Sequence, residues 1–331
     1  MKAVVTGGAG FIGSHLCDHL IARGHEVVAL DDMSTGSEAN LEQLNGHPRF
    51  ELVKGSVLDR ALVDEVVAAH DTVFHMAAAV GVHTIVDKPL ESLRTNLHGT
   101  ENVVEAAVRH DARYLVASTS EIYGKNDADG LTEDADRILG SPLKSRWSYA
   151  AAKGLDELVA YVHGGDSGLP CVITRFFNIV GPRQSGRYGM VVPRFVDQAL
   201  AGEPITVHGD GTQRRCFGSV FDVVPAMGRL LETPAAHNRA VNLGGLEEIS
   251  IGDLAQRVVK LTGTTSGVVH VPYEEAYGEG YEDMRRRMPD TGLAADLIGY
   301  EPQWRLDDII TAIIEYKRAG TPPPRHALLA S

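Results

Sequence analysis

Lys2-Ala3-Val4-Val5-Thr6-Gly7-Gly8-Ala9-Gly10-Phe11-Ile12-Gly13-Ser14-His15-Leu16-Cys17-Asp18-His19-Leu20-Ile21 is the stretch that decides the fold. Lys2–Thr6 reads as a short buried strand. Gly7–Gly13 is a glycine-rich turn, and Ser14–Ile21 carries helical periodicity. Strand, glycine turn and helix come in the order a dinucleotide site requires. Gly7 allows the tight turn, Gly10 lets the backbone approach a pyrophosphate, and Gly13 lets helix and strand pack closely. The helix start then offers unpaired N–H groups to phosphate. Glu26-Val27-Val28-Ala29-Leu30 is a second strand ending at Asp31-Asp32. Asp31 follows Gly13 by 18 residues, close to the ~20 expected of the acid that binds a ribose 2′-OH. A carboxylate there repels a 2′-phosphate, so the cofactor expected is NAD rather than NADP.

Working outward, strand and helix patterns alternate through the first half. Arg49–Val53, Thr72–Met76, Tyr114–Ser118 and Cys171–Phe176 read as strands; Leu90–Arg109 and Tyr149–Val162 read as helices. This predicts an α/β fold with a doubly wound, Rossmann-type parallel sheet. After Asn178 the pattern changes to loops, short helices and many Gly, Pro and Arg residues. Val241-Asn242-Leu243 reads as one more strand of the first lobe. The expected division is residues 1–177 plus about 220–245 for the nucleotide lobe. A smaller α+β C-terminal substrate lobe takes 178–219 and 246–318. Residues 319–331, with Thr321-Pro322-Pro323-Pro324, form an expected disordered tail. No internal repeat is present.

The 331 residues suit one two-lobed unit, and 44% apolar content suffices for a large core. A formal net charge of −13 argues against a nucleic-acid or anionic-membrane surface. An anionic ligand must therefore be gripped by local arginines. With a strand starting at residue 2, no signal peptide is expected, and no apolar run is long enough to span a bilayer. Cys17, Cys171 and Cys216 are few and scattered, as for reduced thiols in a cytoplasm. No Cys/His cluster has zinc spacing, so no metal is expected.

Tyr149 and Lys153 stand four apart in Trp147-Ser148-Tyr149-Ala150-Ala151-Ala152-Lys153, on one face of a helix. A free tyrosine titrates near ~10, too high for a base at neutral pH. A neighbouring cation favours the phenolate, and bringing the phenol to neutrality takes about 4 kcal/mol of differential interaction. The pair then becomes a general base that deprotonates an alcohol as its hydride leaves. Beside an NAD turn, it predicts an oxidising site.

Gly7–Gly13, Tyr149/Lys153 and Phe177-Asn178-Ile179-Val180-Gly181-Pro182-Arg183 together resemble the extended short-chain dehydrogenase/reductase family, over nearly the whole chain. The resemblance implies tightly held NAD, a UDP-sugar substrate, transient oxidation of the sugar, and a homodimer formed through the helices around 94–109 and 149–163. It places cofactor contacts at Phe11, Ile12, Asp32, Ser56, Val57, Ala77, Ala78, Asn96 and Lys153, besides the glycines and Asp31. Gly55-Ser56-Val57 departs from the family, which commonly has an Asp there for adenine. Gly218-Ser219-Val220 also departs, replacing a bulkier segment, which suggests a reshaped sugar pocket.

Ser118-Thr119-Ser120-Glu121 supplies the hydroxyl partner, Thr119 or Ser120, and a carboxylate, Glu121. Sugar 4,6-dehydratases show an Asp-Glu pair in this place, and 4-epimerases small or hydroxyl residues. The segment instead resembles UDP-glucuronate decarboxylases, as do Arg146-Trp147 and the Gln213–Phe217 segment. The same resemblance places an essential arginine at Arg287. Oxidising C4 of a glucuronate puts a ketone β to the C5 carboxylate, which then loses CO₂ readily. Tyr149 with Ser120 or Thr119 would stabilise the enolate. Glu121, Arg287 or water would protonate C5, giving UDP-xylose, or UDP-4-keto-xylose if the ketone escapes. Arg146 and Arg287 would grip the carboxylate, and Arg183 and Arg215 the diphosphate. Asn178, Val192 and Tyr281 complete the substrate contacts, while Arg285 and Arg286 read as surface charges. The alternatives are a UDP-sugar 4-epimerase and a non-catalytic NAD-binding regulator.

Overall fold

The computed structural model describes residues 1–79, 89–186, 190–277 and 283–319. Tyr281 and the expected tail beyond 319 lie outside them. The first lobe runs β1 (Lys2–Thr6), α1 (Phe11–Ala22), β2 (Glu26–Asp31), β3 (Phe50–Lys54), α2 (Arg60–Ala68), β4 (Thr72–His75), α3 (Pro89–Arg109), β5 (Arg113–Thr119), α4 (Ser148–Ser167) and β6 (Cys171–Phe177). The inner strands are apolar on both faces, as befits a sheet covered by helices on both sides, while β3 at the edge is only partly buried. Val4, Val5, Phe74, Leu115 and Val172 have no exposed surface.

The chain then passes through β7 (Ile179–Val180), α5 (Val191–Ala201), β8 (Ile205–His208), β9 (Arg214–Cys216), β10 (Gly218–Ser219) and α6 (Val220–Glu232). It returns to the first lobe as β11 (Arg239–Gly244). The large sheet has order β11-β6-β5-β4-β1-β2-β3 with every pair parallel. This is a Rossmann-type α/β fold. One apolar layer joins α1 and α6 to the sheet; a second joins α2, α3 and α4 to its other face.

After β11 come β12 (Glu248–Ser250), α7 (Ile251–Thr262), β13 (Val268–Val271), β14 (Arg286–Arg287), α8 (Gly292–Ile298) and α9 (Leu306–Ala319). Helices α5, α7 and α9 enclose a separate core around Phe195, Leu254 and Ile310. That core carries two small sheets, β12-β9-β14 and β13-β8. Gly218 belongs to a tight backbone crossing: a Cβ there would lie 2.8 Å from Gly245 N. Its small size serves this crossing, and Ser219 Oγ accepts from Phe221 N at 3.1 Å to cap α6.

The strand order reverses between β1 and β4, and the carboxyl ends of β1, β2, β4, β5 and β6 share one edge. In open α/β sheets that crevice is where ligands bind. Asn178 leaves β6 there with φ 44°, and the second lobe begins.

Candidate active site

The glycine turn is built to hold something flat against it. Gly7 has φ +67°, and a Cβ on it would lie 2.7 Å from Ala77 N. A Cβ on Gly13 would come within 2.1 Å of Gly7 O. A Cβ on Gly10 would meet only Gly7 O, at 3.1 Å, so its outer side is open. No side chain caps α1 at Gly10, which leaves its first N–H groups for an anion. Asp31, 7% exposed, accepts from Ala9 N and Met33 N at 2.9 Å each. Burial raises its pKa, and those two N–H groups oppose the rise. It therefore locks the turn itself. Asp32 is exposed and accepts from Ser34 N, as a turn residue does.

Phe11 and Ile12 pack partly buried on the first core. Ala77 N donates to Thr6 Oγ1 at 3.2 Å, with Ala78 next in chain. Asn96 brackets the following residue, accepting from Ala79 N at 2.8 Å and donating to Ala79 O at 3.3 Å. Val57 is buried, its carbonyl held by Asn102 Nδ2 at 3.0 Å. Ser56 Oγ accepts from Leu58 N at 3.2 Å. An open glycine cradle at a helix start, with a carboxylate at the end of β2, fits a dinucleotide.

Tyr149 and Lys153 lie on α4, whose first turn faces the Ser120–Tyr123 turn that follows β5. Thr119 ends β5 and accepts from Glu121 N at 3.2 Å; Ser120 is 1% exposed. Burial foremost, then the Glu121 and Asp156 charges, push the Tyr149 phenol up, while Arg287 pulls it down. Arg287 is the cation acting on the phenol in this arrangement. Lys153 instead lies 3.0 Å from Asp156 Oδ2, both side chains at most 2% exposed.

Glu121 holds two arginines. Arg146 Nη1 lies 2.6 Å from its Oε2, and Arg287 Nη1 donates to its Oε1. Burial alone would raise this carboxyl, but the two guanidinium groups outweigh it and hold it well below the usual carboxylate range. Such a group carries no proton to deliver near neutral pH, so the expectation of Glu121 as proton donor is set aside. Arg287 Nη2 also donates to Asn178 Oδ1, while Asn178 Nδ2 donates to Cys216 O at 2.8 Å. Parallel pairing puts Arg215 beside Arg287 and Arg214 beside Arg286. The pleat then sorts the four. Arg215 and Arg287 are 7% and 8% exposed. Arg286 goes to Glu248 and Asp129, so it is an ion-paired lobe contact rather than a free surface charge. Arg215 Nη2 meets Asp283 Oδ1 at 3.1 Å. Three guanidinium groups (Arg146, Arg215, Arg287) against two carboxylates (Glu121, Asp283) leave this cluster one positive charge.

Two other expectations are corrected. Arg183 Nη2 pairs with Asp18 Oδ2 at 2.7 Å, and Arg183 Nη1 donates to Ser14 Oγ at 3.3 Å. It ties the second lobe to α1 rather than facing the Arg215–Arg287 cluster. Val192 is fully buried in the core of α5, α7 and α9. Sequence reasoning missed the Arg175–Glu157 pair, bidentate at 3.0 and 2.8 Å, with Tyr123 and Asn242 joined to it. It also missed Asp156. Both acids sit three and four residues beyond Lys153 on α4, a spacing that could have flagged them. Among the described residues, no group of three or more His, Cys, Asp or Glu could hold a metal ion.

The family described as the NAD dependent epimerase/dehydratase family matches residues 3–244. A UDP-N-acetyl-alpha-D-glucosaminuronate decarboxylase of Bacillus cytotoxicus is 39% identical over 96% of this chain and 98% of its own length. UDP-glucuronic acid decarboxylase 1 of Danio rerio is 35% identical over 95% of this chain and 72% of its own. Among solved structures, a Bacillus cereus UDP-glucuronic acid 4-epimerase in complex with UDP-glucuronic acid and NAD superposes with TM-score 0.87. It is 28% identical, over 97% of this chain and 100% of that one.

Proposed function

This chain belongs to the NAD dependent epimerase/dehydratase family, and on that footing we propose that it removes CO₂ from a UDP-hexuronate. UDP-glucuronate would give UDP-xylose, UDP-4-keto-xylose or both. The observation that carries the reading is that relatives aligned over 95% or more of this chain, at 39% and 35% identity, are decarboxylases. NAD is the cofactor; when bound, it supplies the hydride acceptor for C4 and returns the hydride. Gly7, Gly10, Gly13, Phe11 and Ile12 cradle it, with Asp31 at its ribose. Tyr149 takes and returns the C4 hydroxyl proton, with Thr119 and Ser120 beside it. Arg146, Arg287 and Arg215 form the cationic wall for the hexuronate and its diphosphate. Glu121 fixes that wall as an anion, which leaves proton delivery at C5 to Arg287 or water.

A second substrate, the 2-acetamido hexuronate, is favoured by the 39% relative. A 4-epimerase is favoured only by the 28% likeness in structure, so it ranks lower. The test is product analysis of the purified protein with each UDP-hexuronate. Labelled CO₂ and a pentose nucleotide are expected; a C4 epimer without CO₂ would replace the proposal.

The assembly is a homodimer on this reading. Leu90 and Leu93 on α3, and Leu155, Leu158, Tyr161 and Val162 on α4, are between 37% and 59% exposed. The two helices pack against each other, and exposed apolar side chains on both suit contact with a second copy. Sedimentation should give a dimer, and Leu158→Asp should shift it to monomer. A cytoplasmic setting is supported by three buried thiols with no disulfide. No helix among the described residues is long and apolar enough to cross a membrane.

A further inference from the structure

Lys153 does not sit alone in its layer. Asp156, three residues on, has no exposed surface, and its Oδ2 lies 3.0 Å from Lys153 Nζ. Neither the ammonium nor either carboxylate oxygen makes a well-aligned hydrogen bond, so this contact is one of charge. Burial foremost raises the Asp156 pKa, and Lys153 and the Thr100 hydroxyl pull it back. Thr100 belongs to α3, and its Oγ1 lies 3.1 Å from His75 Nε2. His75 Nδ1 is 2.7 Å from Thr6 Oγ1, which already accepts from Ala77 N.

The donors in this line can all point one way. Ala77 N–H occupies the Thr6 oxygen, so the Thr6 hydroxyl proton is free to donate to His75 Nδ1. His75 is held neutral: burial, then the Lys153 charge, lower its pKa to about 3. A neutral imidazole that accepts at Nδ1 carries its proton on Nε2, and that proton goes to Thr100. That leaves the Thr100 hydroxyl proton free of the imidazole, and the hydroxyl lowers the Asp156 pKa as a polar neighbour short of an aligned hydrogen bond. A dipole beside the carboxylate favours its charged form. The line starts at Thr6 and Ala77, which frame Gly7.

We infer that Asp156, in buried contact with the Lys153 ammonium, is the counter-ion that positions Lys153 and preserves its charge. It is a positioning residue for the Tyr149–Lys153 pair. The inference rests on the catalytic reading of that pair given above. The other titratable groups sensing Asp156 or Lys153 are Glu157 on α4, Tyr149 on α4, His75 on β4 and Tyr114 on β5. Tyr114 is fully buried and its pKa lies well above the ordinary phenol value, so it stays neutral in the working range. Without Asp156, Lys153 would be a buried cation with no anion at contact distance among the described residues, and burial favours the neutral amine. Tyr149 would also lose one of the anions that raise it. Both effects move the working pH range downward.

The test compares the native protein with Asp156→Asn and Asp156→Glu. NAD affinity and CO₂ release from UDP-glucuronate are measured between about pH 6 and about pH 10, a range spanning the ordinary lysine and tyrosine transitions. In Asp156→Asn, the ratio of rates at about pH 9 and about pH 7 should fall at least about tenfold relative to native, with the optimum at lower pH. NAD affinity should weaken on the alkaline side only. Asp156→Glu should restore much of the alkaline activity. A loss by one constant factor at every pH would overturn the inference. If native protein releases no CO₂, the catalytic reading fails instead. The alkaline loss of NAD affinity in Asp156→Asn then still decides whether Asp156 guards the lysine charge.

Discussion

Replacing Glu121 by Gln removes one charge from a site where two guanidinium groups converge. The side chains involved are little exposed: Glu121 18%, Arg146 12% and Arg287 9%. Screening therefore takes little from the interaction. A hydrogen bond to a charged group contributes about 1.5–3 kcal/mol, so two contribute about 3–6 kcal/mol. The amide oxygen of Gln can still accept one neutral bond, which leaves a net loss of about 3 kcal/mol, within the range for breaking a buried pair. Arg215 beside Arg287 in the strand register adds like-charge repulsion once the carboxylate is gone. For a protein of this size the loss corresponds to a Tm fall of roughly 5 °C. The loss also has a pH signature. An unfolded glutamate titrates near ~4.3, and folded Glu121 is held well below that by Arg146 and Arg287. A depressed carboxyl stabilises the fold fully above the unfolded value and progressively less as pH falls through the folded one. The Tm gap between native protein and Glu121→Gln should be constant from neutral pH to about 5 and shrink below about 4. Differential scanning fluorimetry across pH, run beside CO₂ release, reads both. Equal Tm values at neutral pH, or a gap that does not close in acid, would refute the clamp and return Glu121 to candidacy as a proton donor.

Tyr149→Phe should abolish CO₂ release while leaving NAD affinity within about twofold of native, since only the hydroxyl that exchanges the proton is lost; near-native turnover in the assay would remove Tyr149 from the chemistry. Gly13→Ala should weaken NAD binding, measured by calorimetry, and destabilise the fold, because its Cβ would lie 2.1 Å from Gly7 O and the turn must move. Gly46→Ala makes a control for backbone strain alone: Gly46 has φ +73° but nothing within 4 Å of an added Cβ, so it should cost only about 1 kcal/mol in Tm-derived stability and leave NAD affinity untouched.

The sequence by itself determined the sheet. Its seven strands are short apolar runs set off by turn residues, and a parallel sheet buried on both faces is written as such runs. The glycine turn was equally legible, because a strand, three spaced glycines and a helix is a local pattern whose geometry is imposed by the missing Cβ atoms. Val241–Leu243, far along the chain, was recognisable as a strand of the first lobe for the same reason: Val241 and Leu243 are fully buried. Tyr149 and Lys153 were legible as a pair through helical spacing. Their electrostatics were less so: Asp156 shares α4 with them, but Glu121 and Arg287 act on Tyr149 through space from two distant segments. The arginines show the limit most plainly. Arg183, Arg215, Arg286 and Arg287 look alike in sequence, yet one pairs with Asp18, one with Asp283, one with Glu248 and Asp129, and one with Glu121. The partners lie from 38 to 166 residues away. A long, flexible cation takes its role from whichever carboxylate the folded chain brings within about 3 Å, and that distance exists only once β9 and β14 have paired and the two lobes have met.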